Sequence, residues 1–240
     1  MENYNLNYTT LESKPLSVNK TFVASVFAWM SLALIVSAIT AYSFGNNLQL
    51  LQLLINPARG FTVFGWIVMF APLAFVLTMG FAFQRLSYPL LILFFIAYSL
   101  FTGMSLSFIF LIYTMGSIAT TFLIAALMFG VMAIVGYTTK TDLTSFGKIM
   151  LMGLIGIIIA SLINLFLKSD GMSYVISTIG VLVFTGLTAY DVQKIKRIGN
   201  GLEYGNQHSQ KLAVMGALSL YLDFINMFLY LLRLFGNRRD

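Results

Sequence analysis

The chain has 240 residues, of which 59% are hydrophobic and 9% charged, too few polar side chains to cover a water-soluble domain. It has no cysteine, which excludes disulfides, thiolate metal sites and cysteine nucleophiles. The net charge of +6 reads as membrane topology rather than nucleic-acid binding, because lysines and arginines gather in the connectors of membrane proteins and orient them.

Crossing about 30 Å of hydrocarbon takes roughly 20 apolar residues in a helix. Seven stretches qualify, at 21–44, 62–83, 89–113, 116–137, 148–168, 174–193 and 212–234. The first ends in small residues around Ala38 and Ala41, as a secretory signal does, but its apolar core is too long and it follows a polar stretch of 20 residues, so it is expected to be retained. INPARG (55–60) and QRLSYP (84–89) flank the second span. In the third, Ser99, Gly103 and Ser107 recur at four-residue spacing, the pattern of a close helix crossing. YTMGS (113–117), TTKTDLTSFGK (138–148) and KSDGMS (168–173) separate the next spans. Connectors this short force antiparallel neighbours, and long apolar runs without alternation exclude a barrel. The expected fold class is an all-α integral membrane protein with seven transmembrane helices. A tail over 1–20 precedes one membrane domain over 21–236, and a short tail over 237–240 follows it.

Seven spans put the two tails on opposite faces. Lys14, Lys20, Arg85, Lys140, Lys148, Lys194, Lys196, Arg197 and Lys211 fall on one face; Arg59 and Lys168, with Arg233, Arg238 and Arg239 at the end, fall on the other. The excess places the amino terminus in the cytoplasm.

Glu2, Glu12, Asp142, Asp170, Glu203 and Asp240 lie in tails or connectors and read as solvated charges. Two acids remain. Asp223 sits well inside LSLYLDFINMFLYLLRLFG, where a carboxylate costs roughly 2.5 to 3.5 kcal/mol on insertion scales. Asp191 sits in GLTAYDVQKIK, toward the cytoplasmic end of the sixth span and about two turns shallower. The two can meet across a helix pair if the sixth helix continues past the membrane face. Gly216, Ser219, Asp223, Asn226 and Tyr230 share one helical stripe, which must face protein. A packing seam would account for the small and polar members, but asparagine would seal a seam without the ionisation problem that Asp223 brings. For Asp191, pairing with Lys194 three residues on is an equally good account. Arg85 is either a topology marker or an inward counter-ion.

GLTAYDVQKIK followed by ALSLYLDFINMFLYLLRLFG resembles the paired signature of the transmembrane Bax inhibitor motif family, the Bax inhibitor-1-like proteins. A Tyr-Asp, a following Gln and a Leu-Asp-Phe-Ile core match together, and the TDL turn at 141–143 matches more loosely. The resemblance implies a bacterial inner-membrane protein with a central C-terminal helix wrapped by the other six. It also implies a calcium leak governed by pH through an aspartate pair, here Asp191 and Asp223, with Arg85 where an arginine pairs with the sixth-helix aspartate in one state. APLAFVLTMG lacks the acidic residue that some relatives carry there.

Two carboxylates in a poorly hydrated site cannot both ionise cheaply. When they share a proton, a short hydrogen bond holds the helices together; a second negative charge must be offset by a cation or by Arg85, or the helices part. Calcium suits such a site because it prefers oxygen ligands, with Thr188, Ser219 and Asn226 as supporting polar groups, and so few donors make binding weak. Weak binding suits passage.

Calcium and protons are thus the expected partners beside the bilayer, and no cofactor is expected. Two alternatives stay open: a proton-coupled cation carrier using the same dyad, and a non-conducting regulator that binds other membrane proteins, such as a quality-control protease. Enzymatic readings fare worse. The single histidine, His208, lies in the sixth connector, away from any buried serine. The GxGD context of an intramembrane aspartic protease is absent, and no lysine in the last span is available for a retinal.

Overall fold

The structure is a computed structural model describing residues 14–56, 60–202 and 205–239. Arg59, Glu203, Asp240 and most of the 1–20 tail, including Glu2 and Glu12, lie outside the described residues. Seven long apolar helices are present among those described: α1 (Lys14–Asn46), α3 (Val63–Phe81), α4 (Tyr88–Leu106), α6 (Met115–Thr138), α7 (Thr144–Leu167), α8 (Asp170–Asn200) and α9 (Gln207–Phe235). Between them lie two short helices, α2 (Leu48–Leu54) and α5 (Ile109–Ile112), and a minimal hairpin of β1 (Ile55–Asn56) and β2 (Gly60–Phe61) in antiparallel register. The fold is the expected all-α membrane bundle.

Local chemistry sets the helix ends. Thr62, Thr114, Ser169 and Asn206 cap α3, α6, α8 and α9 by accepting from backbone N–H groups of the first turn. Lys168 closes α7 in the left-handed region at φ 49°, turning the chain over two residues into α8. Inside the spans, Ser99, Thr185 and Thr188 donate to carbonyls one turn back, so these three hydroxyls are satisfied within their own helix.

Boundaries differ from the sequence reading at several points: α1 begins at Lys14 rather than 21, α8 at Asp170 rather than 174 and α9 at Gln207 rather than 212. Helix α7 begins at Thr144 rather than 148, because Asp142 Oδ1 accepts from both the backbone N–H and the hydroxyl of Thr144, at 2.8 and 2.6 Å. The third span breaks at Ser107, whose N–H is shared between the Gly103 and Met104 carbonyls. Helix α8 runs to Asn200, past the expected end at 193, because Val192, Ile195 and Gly199 extend its buried stripe. The tail after 236 is not free: Thr114 N–H donates to Asn237 O, Arg239 N–H donates to Ile112 O, and Arg238 bridges Tyr113.

Helix α9 occupies the centre. It packs on α1, α4, α6 and α8, so its extensive contacts are with four neighbours rather than six; α3 leans chiefly on α4, and α7 on α8. The apolar stretch of α9 is 61% buried and that of α7 only 6%. Close approaches involve small residues. Gly103 lies against the Ser37 backbone of α1, Gly136 of α6 against the Ala189 backbone of α8, and Gly147 of α7 against the Tyr190 ring. The Ser99, Gly103 and Ser107 stripe thus forms the expected crossing, and all three are buried.

Candidate functional site

Two contacts fix the register of α8 against α9. Gly216 faces Ile195, and Gly180 faces Tyr230. Carried along antiparallel helices, this register sets Thr188 level with Asp223 and Asp191 opposite Ser219. Asp191 is therefore about one turn, roughly 5 Å, nearer the lysine-rich face than Asp223, half the expected offset. Because α8 continues as a helix beyond Asp191, the two acids lie on adjacent helices about one turn apart in depth, within electrostatic reach.

Their surroundings differ. Asp223 is 5% exposed, and no donor among the described residues reaches its Oδ2. Asp191 is half-buried and also feels Lys194, its neighbour one turn on. Arg85 lies exposed in the turn between α3 and α4 and makes no ion pair there; the one ion pair among the described residues joins Asp142 and Arg197.

The supporting polar groups divide. Thr188 is fully buried, and its hydroxyl donates to Phe184 O at 2.8 Å, leaving its lone pairs free at the level of Asp223. Ser219 is half-buried opposite Asp191. Asn226 donates to Leu222 O at 2.8 Å and lines a separate polar cavity at the far ends of α7, α8 and α9. Among the described residues no cluster of three or more acidic, histidine or cysteine side chains is placed to hold a metal. Any cation at the dyad would therefore lean on two carboxylates, hydroxyls and backbone carbonyls.

The inward stripe of α9 is real but does not distinguish a protein face from a lipid face. Leu218, Ile225 and Phe228, off the stripe, are buried, whereas on it only Asp223 is buried and Gly216, Ser219, Asn226 and Tyr230 are half-buried, because a central helix packs on more than one side. What the stripe selects is the neighbour: Gly216 and Tyr230 both meet α8.

Two polar assemblies escaped the sequence reading. Asp142, read as a merely solvated charge, instead anchors the loop between α6 and α7 to α8. Arg197 reaches both Asp142 and Thr144, while buried Gln193 accepts from Leu143 N–H and donates to Thr141 O, each at 2.8 Å. The Thr144 hydroxyl, then Arg197, hold the Asp142 carboxyl well below the usual carboxylate range. The signal was present, since the glutamine follows Asp191 by two residues and so points away from α9. The other assembly lies across α9 from Asp223. Ser37 Oγ shares a 2.7 Å hydrogen bond with Tyr221 Oη and lies 2.7 Å from Ser99 O, and Tyr98 meets Tyr221 edge to face at 5.2 Å.

A bundle of seven long apolar helices wound around one that carries a buried acid defines a class of polytopic membrane protein. The chain belongs to the Bax inhibitor-1-like family: the family model described as "Inhibitor of apoptosis-promoting Bax1" matches residues 19–240. It is 44% identical over 227 residues to the inner membrane protein YbhL of Escherichia coli (strain K12), covering 94% of this chain and 95% of that one. It is 46% identical over 235 residues to protein RP147 of Rickettsia prowazekii (strain Madrid E), covering 93% and 95%. A Borreliella burgdorferi protein is 42% identical over 231 residues, covering 96% and 98%.

Proposed function

We propose that this protein is a pH-sensitive calcium leak channel of a bacterial inner membrane, gated by Asp191 and Asp223. The observation that carries the reading is the Asp223 carboxylate, almost wholly buried, with one oxygen that no donor among the described residues reaches and a second carboxylate within electrostatic range. A carboxylate held this way changes its demands on the bundle when it gains or loses a proton. Protonated, it can donate to Asp191 or to a carbonyl; ionised beside Asp191, it calls for a cation or for separation of α8 from α9. Helix α9 touches four others, so a shift at Asp223 is felt across the bundle. Arg85, exposed in its turn, is free to move inward in another state as counter-ion. The amino terminus is assigned to the cytoplasm, with Lys140, Lys194 and Lys211 on that side. The family membership and the inner-membrane relative support the setting.

The test is calcium flux through purified protein in liposomes between pH 5 and 8. Wild type should show a pH-dependent leak, and Asp223→Asn and Asp191→Asn should flatten the profile. A variant profile that follows wild type across the range would remove the dyad from the mechanism. Vesicles that pass no ion at any pH would favour the non-conducting regulator, for which α7, the least buried of the seven apolar helices described, offers an apolar face.

A further inference from the structure

The polar cavity that takes Asn226 has a volume of about 560 Å³ and lies among the ends of α7, α8 and α9. Its mouth carries three charged groups from three segments. Lys168 lies in the turn after α7, Asp170 in the first turn of α8 and Arg233 in the last turn of α9. None of them is ion-paired among the described residues. Arg233 rests over the Tyr230 ring at 5.8 Å, and that ring is stacked on Phe184, which fixes one wall. Asn164 fixes the other: it donates to Ser173 Oγ at 2.7 Å and accepts from Ser169 N–H at 3.0 Å, tying the end of α7 to the start of α8.

Two cations and one carboxylate around one opening complement a ligand that has an anionic group and a cationic group a few ångströms apart. The opening also lies at the ends of three membrane-spanning helices, at the depth of lipid headgroups. Beside it the outer flank of α7 exposes Leu165 and Phe166, at 71% and 85%, an apolar strip along which acyl chains can lie. We propose that this cavity binds the headgroup of a phosphoethanolamine lipid, with Lys168 and Arg233 on the phosphate and Asp170 on the primary ammonium. Arginine and lysine favour phosphate oxygens through charge-assisted hydrogen bonds, and a carboxylate can accept from the ammonium, whose N–H donors a quaternary choline lacks. The inner end of the cavity, Asn226, is one turn from Asp223, so a bound headgroup would stand between the bilayer surface and the buried acid.

The experiment uses delipidated full-length protein in detergent, titrated with phosphatidylethanolamine, phosphatidylglycerol, phosphatidylcholine or inorganic phosphate. Lipid adducts are counted by native mass spectrometry, and stabilisation is read from the melting midpoint. Phosphatidylethanolamine should bind about tenfold more tightly than the other two lipids, the step that one charge-assisted contact supplies. Lys168→Gln and Arg233→Gln should each lose about that factor, and Asp170→Asn should erase the preference over phosphatidylglycerol. Lys148→Gln, on the exposed start of α7 at the opposite face, should bind as wild type does. Equal affinity for all three lipids, or charge variants that bind as wild type does, would overturn the proposal. Stabilisation by inorganic phosphate equal to that by the lipid would assign the site to a soluble anion instead. Because binding is read without ion flux, failure here leaves the aspartate dyad untouched, and failure of the dyad leaves this site untouched.

Discussion

Helix α6 carries two glycines that make opposite demands. A Cβ built on Gly136 would meet backbone atoms of Ala189 on α8, with the Cα at 2.8 Å and the carbonyl carbon at 2.9 Å and the carbonyl oxygen closer still, whereas a Cβ on Gly130 meets nothing within 4 Å. Carbon atoms in comfortable contact stand about 3.5 Å apart, so Gly136→Ala must push α6 and α8 apart by at least about 0.7 Å. The obstruction is backbone, and no side-chain rotation relieves it. Both substitutions gain the same helix propensity, up to about 1 kcal/mol, so this contribution cancels between them. The difference in stability should equal the overpacking cost, about 1 to 3 kcal/mol, with Gly130→Ala the more stable. At roughly 2 to 4 °C per kcal/mol for a chain of this size, thermal melts in detergent should separate the two variants by several degrees. Ala189 precedes Asp191 by two residues, so under the proposed channel function Gly136→Ala should also alter calcium flux, while Gly130→Ala should not. Coincident melting midpoints would show that the α6–α8 crossing is not the tight contact described here.

The anchor on the α6–α7 loop should behave locally. Gln193→Leu leaves Leu143 N–H and Thr141 O without their partner and should destabilise by about 1 to 3 kcal/mol, read as a lowered melting midpoint. Asp142→Asn should leave the midpoint near wild type, because the group is exposed, yet raise hydrogen exchange at the Thr144 amide. The sign with pH follows from the direction of the Asp142 shift: a carboxyl held below its usual range contributes fully above its unfolded pKa of about 4 and loses that contribution as pH falls through the lower folded value. Exchange at Thr144, corrected for its intrinsic pH dependence, should therefore stay flat from pH 5 to 8 and rise only in strong acid. Across α9, Ser37→Ala and Tyr221→Phe each break the same hydrogen bond. Each should cost about 1 kcal/mol, with the double variant costing less than the sum of the two, as a double-mutant cycle would detect.

What the sequence made legible was set by period and length. Twenty-residue apolar runs are long enough to be counted without knowing their neighbours, so the seven spans and the isolation of Asp223 followed directly. Ends were harder, because they depend on groups outside the run: Asp142 starts α7 early by receiving Thr144, and the packing of Val192, Ile195 and Gly199 carries α8 to Asn200. The separation of Asp191 from Asp223 was overstated for a related reason. It was counted from assumed membrane faces, whereas the register is fixed by Gly216 on Ile195 and Gly180 on Tyr230, contacts between side chains and missing side chains that no single-helix pattern reveals. The cavity around Lys168, Asp170 and Arg233 was invisible because it assembles three residues that, taken singly, read as ordinary connector or end charges.

The central position of α9 bears on how the protein is made. In chain order it follows the six spans that surround or flank it, so during synthesis those six enter the bilayer before the helix that fills their middle exists. They must then hold an open slot or pack provisionally against one another and reopen. An interrupted chain that stops before residue 207 would lack the contacts that α1, α4, α6 and α8 all share, which makes arrival of the last helix the step that commits the bundle to its final form.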